Sequence, residues 1–373
     1  MPRFETTVSC PVHDSFRVQQ IGGMFDVPVA TRSSETFTAE IPSLADPWQI
    51  GLIVGPSGSG KSTMAREAFA GAIHESNEWP HDRAIVDCFD DSFSTQQITR
   101  LLTAVGFSSP PTWIKPYQVL SGGERFRCDL ARALSRGLSS DRLATSSLSP
   151  KDTPLVVFDE FTSVVDRTVA KIGSAAVAKA LRQGHIPCRF IAVTCHYDVA
   201  EWLAPDWIVD MASGELTRRR LRRPSIELHV HRCRRNLWPL FARHHYLSGD
   251  LSPTARCYLA HWQEQPIAFA ATIPIIGRRE HWRITRLVTL PDYQGIGIGM
   301  KLAAAVAEEH RAEGHRLNIT ASHPSLIAHC QRSSRWFTRR IRKSGTRSQR
   351  IRNSHYCGSP RRAVVSFEYV GAT

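Results

Sequence analysis

The stretch "IGLIVGPSGSGKST" (50–63) decides how the first half of the chain is read. A short apolar run ends in glycines at 55, 58 and 60, followed by Lys61, Ser62 and Thr63. The spacing fits GxxxxGK[ST], in which glycines let successive backbone N–H groups turn towards one anion. The helix expected over 61–73 adds the positive end of its dipole. Gly55, Pro56, Ser57, Gly58, Ser59, Gly60, Lys61, Ser62 and Thr63 are therefore the expected nucleotide-phosphate ligands. Lys61 suits the β- and γ-phosphates, and Ser62 suits Mg²⁺.

Further residues narrow the class. "VLSGGERFRCDLARAL" (119–134) sets Ser121, Gly122, Gly123 and Glu124 before a helix, a second phosphate-facing N-terminus. "LVVFDEFTSVVD" (155–166) ends an apolar strand with Asp159 and Glu160. Asp159 suits a contact with Mg²⁺ or its water, and Glu160 can polarise an attacking water. His196 follows the next strand, where it can reach a γ-phosphate. Taken singly these are a turn, a cap and a structural histidine; their order and spacing make them one constellation.

That constellation resembles the ABC-type ATPase family over roughly residues 16–217: Walker A at 55–63, the signature "LSGGE" at 120–124, Walker B "LVVFDE", the D-loop "SVVD" ending in Asp166, and the switch histidine His196. The resemblance implies ATP and Mg²⁺ as cofactors, held between the Walker A of one cassette and the signature of another. One cassette per chain then implies a homodimer. The sequence departs from the family where a Q-loop glutamine should follow a strand at 83–89. "DDSFSTQQ" puts Asp90 and Asp91 there, with Gln96 and Gln97 late. Only 65 residues separate Gly55 from Leu120, so the helical subdomain is short. Phe25 is a candidate for stacking on adenine, with a core role as the alternative.

A second glycine loop, "PDYQGIGIGMKL" (291–302), needs a separate reading. The dinucleotide pattern GxGxxG/A fails, because its sixth position is Met300 or Leu302. A second P-loop fails because no GK[ST] follows. A glycine-rich turn without a ligand is the plain alternative. The pattern Q/RxxGxG/A is filled by Gln294, Gly297 and Gly299 between a strand and the helical "MKLAAAVAEEH". This resembles motif A of the GNAT acyltransferases over about 226–330. It implies that Gln294, Gly295, Ile296, Gly297, Ile298 and Gly299 hold the pyrophosphate of acetyl-CoA or another acyl-CoA. GNAT chemistry is direct attack of an amine on the thioester, with a base for the amine and an acid for the thiolate. Glu280, His281 and His323 are the candidate bases, Tyr293 and Tyr356 the candidate acids, and "HHY" (244–246) either lines the acceptor pocket or caps its helix.

Charge divides the chain. Residues 1–217 hold 19 Lys and Arg against 25 Asp and Glu, net −6; residues 218–373 hold 28 against 9, net +19. A half this basic attracts polyanions, so DNA or RNA is the expected partner, ahead of an anionic membrane surface, and a solvated basic face is the plain alternative. Residues 331–362 carry eleven Lys and Arg with no Asp or Glu, and Trp336, Phe337 and Tyr356 among them suit base stacking. No apolar run reaches the ~18–20 residues of a membrane span. The N-terminus lacks an apolar signal core, so a cytoplasmic location without a membrane partner is expected. Nine scattered cysteines read as reduced thiols. Cys10 and His13 form a lone CxxH with no second ligand pair, which predicts no zinc site.

Apolar periodicity predicts strands at 36–41, 50–55 and 83–89, "PLVVFDE", "RFIAVTCH" and a hairpin in "DWIVDMASGELT". Helices are expected over "QQITRLLTAVGF" and 122–136, with "SSPPTWIKPY" and 139–153 as loops. The second half restarts with strand 226–231, a helix near 235–245, strands "ARCYLAHW", "PIAFAATI" and "RITRLVTL", a helix at about 298–313, and strands "RLNITAS" and "RAVVSFEYV". The fold class is α/β, a P-loop NTPase (ABC-type) domain over 1–217, then a basic linker at 218–225 and a GNAT-like α+β acyltransferase domain over 226–373. The whole resembles ABC-type ATPases fused to a predicted acetyltransferase. The expected function is an ATP-hydrolysing cassette coupled to acyl transfer onto nucleic acid or a nucleic-acid-bound protein. The alternatives are an ATP-switched nucleic-acid binder with an inactive GNAT scaffold, and a transporter ATPase subunit, which the missing membrane span and shortened helical region argue against.

Overall fold

The computed structural model describes residues 3–75, 78–138, 153–218, 223–245, 250–342 and 363–371. In chain order they form β1 (Arg3–Pro11), α1 (Phe16–Phe25), β2 (Arg32–Glu40), β3 (Ile50–Val54), α2 (Lys61–Ala68), α3 (Thr95–Ala104), α4 (Pro110–Trp113) and α5 (Gly122–Ser135). Then come β4 (Leu155–Phe158), α6 (Arg167–Arg182), β5 (Arg189–Thr194), α7 (Ala200–Leu203), β6 (Trp207–Asp210) and β7 (Glu215–Thr217). The remainder is β8 (His229–Cys233), α8 (Pro239–Ala242), β9 (Arg256–Trp262), β10 (Gln265–Pro274), β11 (His281–Thr289), α9 (Ile298–Ala312), β12 (Arg316–Ala321), α10 (Pro324–Arg332), β13 (Trp336–Arg342) and β14 (Val364–Tyr369).

These elements gather into two units. The first holds Met1–Asn77, Ala133–Val165 and Leu181–Arg223; the second holds Glu78–Arg132, Asp166–Ala180 and Pro224–Thr373. Charge divides the chain after 217, whereas packing groups 78–132 and 166–180 with the basic half.

In the first unit a five-stranded sheet runs β4-β5-β3-β6-β7. Its first four strands are parallel, and β7 closes it antiparallel to β6. Every residue of β3 and β5 is buried. Strands covered on both faces have no solvent-facing side, which is why "IGLIV" and "RFIAVT" show no alternation. Met64, Ala65 and Phe69 of the α2 region pack with Ile53, Val157, Ile191, Val193 and Trp207 in one core. Strands β1 and β2 form a separate antiparallel ladder. Only Thr6 of β1 is buried, so "RFETTVSCP" offers no apolar stripe and its sequence does not announce a strand.

The second unit carries a seven-stranded sheet, β13-β14-β12-β11-β10-β9-β8. Only β11 and β12 are parallel among its described pairs, joined by the crossover helix α9. Helix α9 buries Ile298, Leu302, Ala303, Val306, Ala307 and His310, the face of an amphipathic helix at its ordinary spacing.

Local chemistry overturns three expectations. Residues 83–89 form no strand. Ile85–Cys88 is a single 3₁₀ turn in which Asp87 N donates to Ala84 O at 2.9 Å, and Ile85 N is taken by Lys115 O at 3.0 Å. The apolar run is too short to join a sheet, and the Asp90–Ser92 turn ends it (Ser92 N to Asp90 Oδ1, 2.9 Å). "SSPPTWIKPY" is not wholly a loop. Pro110 and Pro111 open the four-residue α4, where proline's missing N–H costs nothing. The helix near 235–245 is reduced to a 3₁₀ turn at Arg235–Leu237 and the four residues of α8. The loop at 139–152, linker residues 219–222, Tyr246 and the stretch 343–362 with Tyr356 lie outside the described residues.

Candidate functional site

The loop at 55–63 is built in the first unit between fully buried β3 and α2. Gly55, Gly58 and Gly60 have φ of 154°, 82° and 78°. At Gly60 a side chain is excluded twice, by this left-handed backbone and by Phe37, whose ring lies 2.4 Å from a Cβ built there. Phe37, on β2, was missed by sequence reasoning, because nothing in "TFTAEI" distinguishes a loop-facing ring from a core one. Phe25 is 69% exposed at the end of α1. Lys61 Nζ donates to Pro56 O at 2.6 Å and Ser59 Oγ to the same oxygen at 2.9 Å, so the loop is folded around its own carbonyl.

Ser62 Oγ donates to Asp159 Oδ1 at 2.9 Å. This brings together the two residues expected to hold Mg²⁺, and their oxygen donors fit a hard divalent cation. Glu160 N donates to the same Asp159 oxygen at 3.0 Å, while Glu160 itself has a left-handed φ of 54° and an exposed side chain. His196 follows β5 and is half-buried, with its amide donating to Thr194 Oγ1 at 3.1 Å.

In the second unit, Ser121 Oγ and Ser121 N both donate to Glu124 Oε2, at 2.9 and 3.0 Å, and Glu124 N returns to Ser121 Oγ at 3.4 Å. This is a capping box, visible in sequence as S-x-x-E, and it opens the fourteen-residue α5 at Gly122 and Gly123. Asp166 caps α6: its Oδ1 accepts from Thr168 N at 2.9 Å and Val169 N at 3.0 Å. Gln97 is likewise spent in a capping box with Ser94.

The second glycine loop sits between β11 and α9. Gly295 and Gly297 have φ of 92° and 97°, and Gly297 is the residue before the first turn of α9. Lys301 N closes the first helical hydrogen bond onto Gly297 O at 3.2 Å, so the amides just before it form an N-terminal anion cradle. The parallel partners β11 and β12 are in register over His281–Ile284 and Arg316–Ile319. Beyond that, β11 continues to Thr289 on β10 alone and β12 to Ala321 on β14 alone. A bulge at Thr285 of β11, opposite Ala271 and Thr272 of β10, marks the point of divergence. The two strands are therefore not paired with each other at the end that carries the loop.

The side chain of Gln294 does not face that cradle. Its Oε1 accepts from Ser108 N at 2.8 Å and its Nε2 donates to Thr289 O at 3.0 Å. Ile296 is half-buried and Ile298 buried in the core of this sheet.

The acyl-transfer candidates are not brought together. Glu280 and His281 stand at the start of β11, about 26 Å from its other end at ~3.3 Å per residue. Glu280 is exposed, and His281 is buried with no hydrogen-bond partner for Nε2. His323 is at the loop end of the sheet, but its ring packs 5.8 Å from Trp113 and its Nδ1 meets Ser325 Oγ at 2.8 Å. Burial lowers its pKa. Tyr293 stands edge-on to Trp262 at 6.1 Å, and burial followed by the charge of Asp292 raises its pKa, which keeps the phenol protonated. His244 and His245 donate their amides to Phe241 O and Ala242 O, closing α8.

With this geometry in place, the comparisons fall into two sets. Residues 220–329 match the family model described as Acetyltransferase (GNAT) family. Among solved structures, the IAA acetyltransferase from Bacillus cereus ATCC 14579 is 17% identical, over 38% of this chain and 99% of that one, with a TM-score of 0.28. A GNAT family acetyltransferase from Elizabethkingia anophelis with acetyl-CoA bound is 14% identical, over 38% and 97%, with a TM-score of 0.26. The bacterial ABC transporter cassette MJ0796, in its dimeric structure, is 16% identical over 50% and 90%, with a TM-score of 0.35. No curated protein matches the chain. The fold is mixed α/β, a five-stranded, mostly parallel sheet followed by a seven-stranded sheet, and residues 220–329, which match the GNAT family model, lie over much of the latter. Among the described residues no helix is long and apolar enough to cross a membrane.

Proposed function

We propose that the protein is a cytoplasmic ATPase and acyltransferase. Its cassette binds and hydrolyses ATP with Mg²⁺ in a homodimeric sandwich, and its GNAT-type domain transfers an acyl group from acyl-CoA to nucleic acid or a nucleic-acid-bound protein. The observation that carries this reading is that one chain holds two glycine loops of different design. Each sits between a strand and a helix, and each is built on glycines with positive φ. In the first, Ser62 and Asp159 would hold the metal, which neutralises phosphate charge when bound. Lys61 would meet the β- and γ-phosphates, and Glu160 would orient water. In the second, the amides of 295–299 would hold the pyrophosphate, and the ends of β11 and β12 that no longer pair with each other would flank the acyl arm. The acceptor class rests on the net charge of +19 over 218–373.

A second reading has its own support. His323 is packed against Trp113, and Glu280 and His281 lie at the far end of β11. The candidate bases are therefore not gathered at the loop, which favours a GNAT-type scaffold on an ATP-switched nucleic-acid binder. Purified protein incubated with labelled acetyl-CoA, ATP and DNA, RNA or lysate separates the two. Label transfer supports the enzyme; acetyl-CoA binding without transfer supports the scaffold. For the cassette, Glu160→Gln should lower phosphate release at least a hundredfold and trap a dimer on ATP in size-exclusion chromatography. Turnover that survives this change removes Glu160 from its role.

A further inference from the structure

The loop at 294–297 is packed, within the second unit, against residues that belong to the ATPase half of the sequence. A Cβ built on Gly295 would lie 2.7 Å from Gly106 Cα and 2.8 Å from Ala176 Cβ, so the two backbones approach as only glycines allow. Ser108 N takes the Gln294 side chain. Lys179, on α6, donates from Nζ to Gly295 O at 3.3 Å, and the same Nζ is 3.4 Å from a Cβ built on Gly297.

Two features give this contact a chemical consequence. Gln294 is spent at both ends, so the loop's own polar side chain supplies nothing to a bound phosphate. The cation that stands beside Gly295 and Gly297 comes from α6 instead. Behind it, Arg127 of α5 is 1% exposed, and its Nε and Nη2 have no hydrogen-bond partner. Its Nε lies 3.5 Å from a Cβ built on Gly106, and the carboxylates that act on it most strongly are Asp292, Glu124 and Asp166. One cation of the ATPase half, Lys179, therefore borders the loop directly, and a second, Arg127, lies beside Gly106, which packs against it.

We propose that the acyl-CoA site is composite, with Lys179 of α6 supplying the charged ligand for the pyrophosphate that the 294–299 amides cradle. This rests on the acyl-CoA reading given above. On binding, Nζ exchanges the Gly295 carbonyl for a phosphate oxygen, a charge-assisted hydrogen bond stronger than the one it leaves. Helix α6 begins at the Asp166 cap, so the helix that follows the D-loop also carries a ligand of the second site.

The test is acetyl-CoA binding to the full-length protein, by calorimetry, across a series of NaCl concentrations. Lys179→Ala should weaken binding about tenfold, which corresponds to about 1.4 kcal/mol, and should flatten the dependence of affinity on salt. Lys179→Arg should restore most of both. Alanine keeps the helix, so the variant should fold. Unchanged affinity in Lys179→Ala overturns the proposal, and so does weaker binding with an unchanged salt slope, which marks a packing role alone. If the wild-type protein binds no acetyl-CoA at any salt, the acyl-CoA reading itself fails and takes this proposal with it.

Discussion

His310 shows how much one buried side chain sets a local property. It is fully buried on α9, with Nε2 shared between Tyr258 Oη at 3.2 Å and Thr272 Oγ1 at 3.0 Å. Burial, and then the positive charge of Arg256, pushes its pKa down to about 4 from the usual 6.5. Between those values the unfolded chain binds a proton that the folded chain refuses, so stability must fall as the pH drops through that window. The urea midpoint of the wild-type protein should decline between pH 6.5 and 4, and His310→Gln should decline less over the same range. Equal slopes for the two would exclude His310 as a source. The sequence does not reveal this residue, because a histidine in "AAAVAEEHRA" is indistinguishable from a solvated one until β9 and β10 are placed beneath it.

At the scale of elements, Asp206 binds the start of β3 to the end of α6. Its Oδ2 accepts from Gln49 N at 2.8 Å and Ile50 N at 3.0 Å, and Arg182 makes a two-pronged pair with it at 2.9 and 2.7 Å. Burial alone would raise the Asp206 pKa, but the hydrogen bonds from Arg182 and the two amides hold it below the ordinary value. Asp206→Ala leaves two amides without their acceptor and Arg182 without its carboxylate, with only Ala204 O and Gln49 Oε1 left to it, and should cost about 3 kcal/mol of stability in urea unfolding. Elements with strong periodicity or a glycine–lysine punctuation were legible from sequence: β3, α2, β4, β5 and the β11–α9–β12 crossover. Those that depend on partners were not. β1 pairs with β2 through a polar ladder, and 83–89 coils into a 3₁₀ turn because its amide is claimed by Lys115.

At the scale of the whole molecule, the charge asymmetry makes a prediction about partners. If the +19 half binds nucleic acid through phosphates, affinity for DNA or RNA should fall linearly on a log–log plot against salt, with a slope close to the number of contacts. A salt-independent or absent interaction, read by fluorescence anisotropy, would remove nucleic acid from the proposed acceptors.

What the sequence by itself determined were the two glycine loops and their supporting strands and helices, because glycine spacing, a lysine and apolar runs act locally and need no distant partner to be read. What only the tertiary structure decided was the assignment of side chains around them. Gln294 is turned onto Ser108, His323 is covered by Trp113, Phe37 is set against Gly60, and Lys179 is brought to Gly295. Each of these contacts joins residues far apart in the chain. Their occurrence depends on how folded segments pack against one another, which motif spacing does not encode.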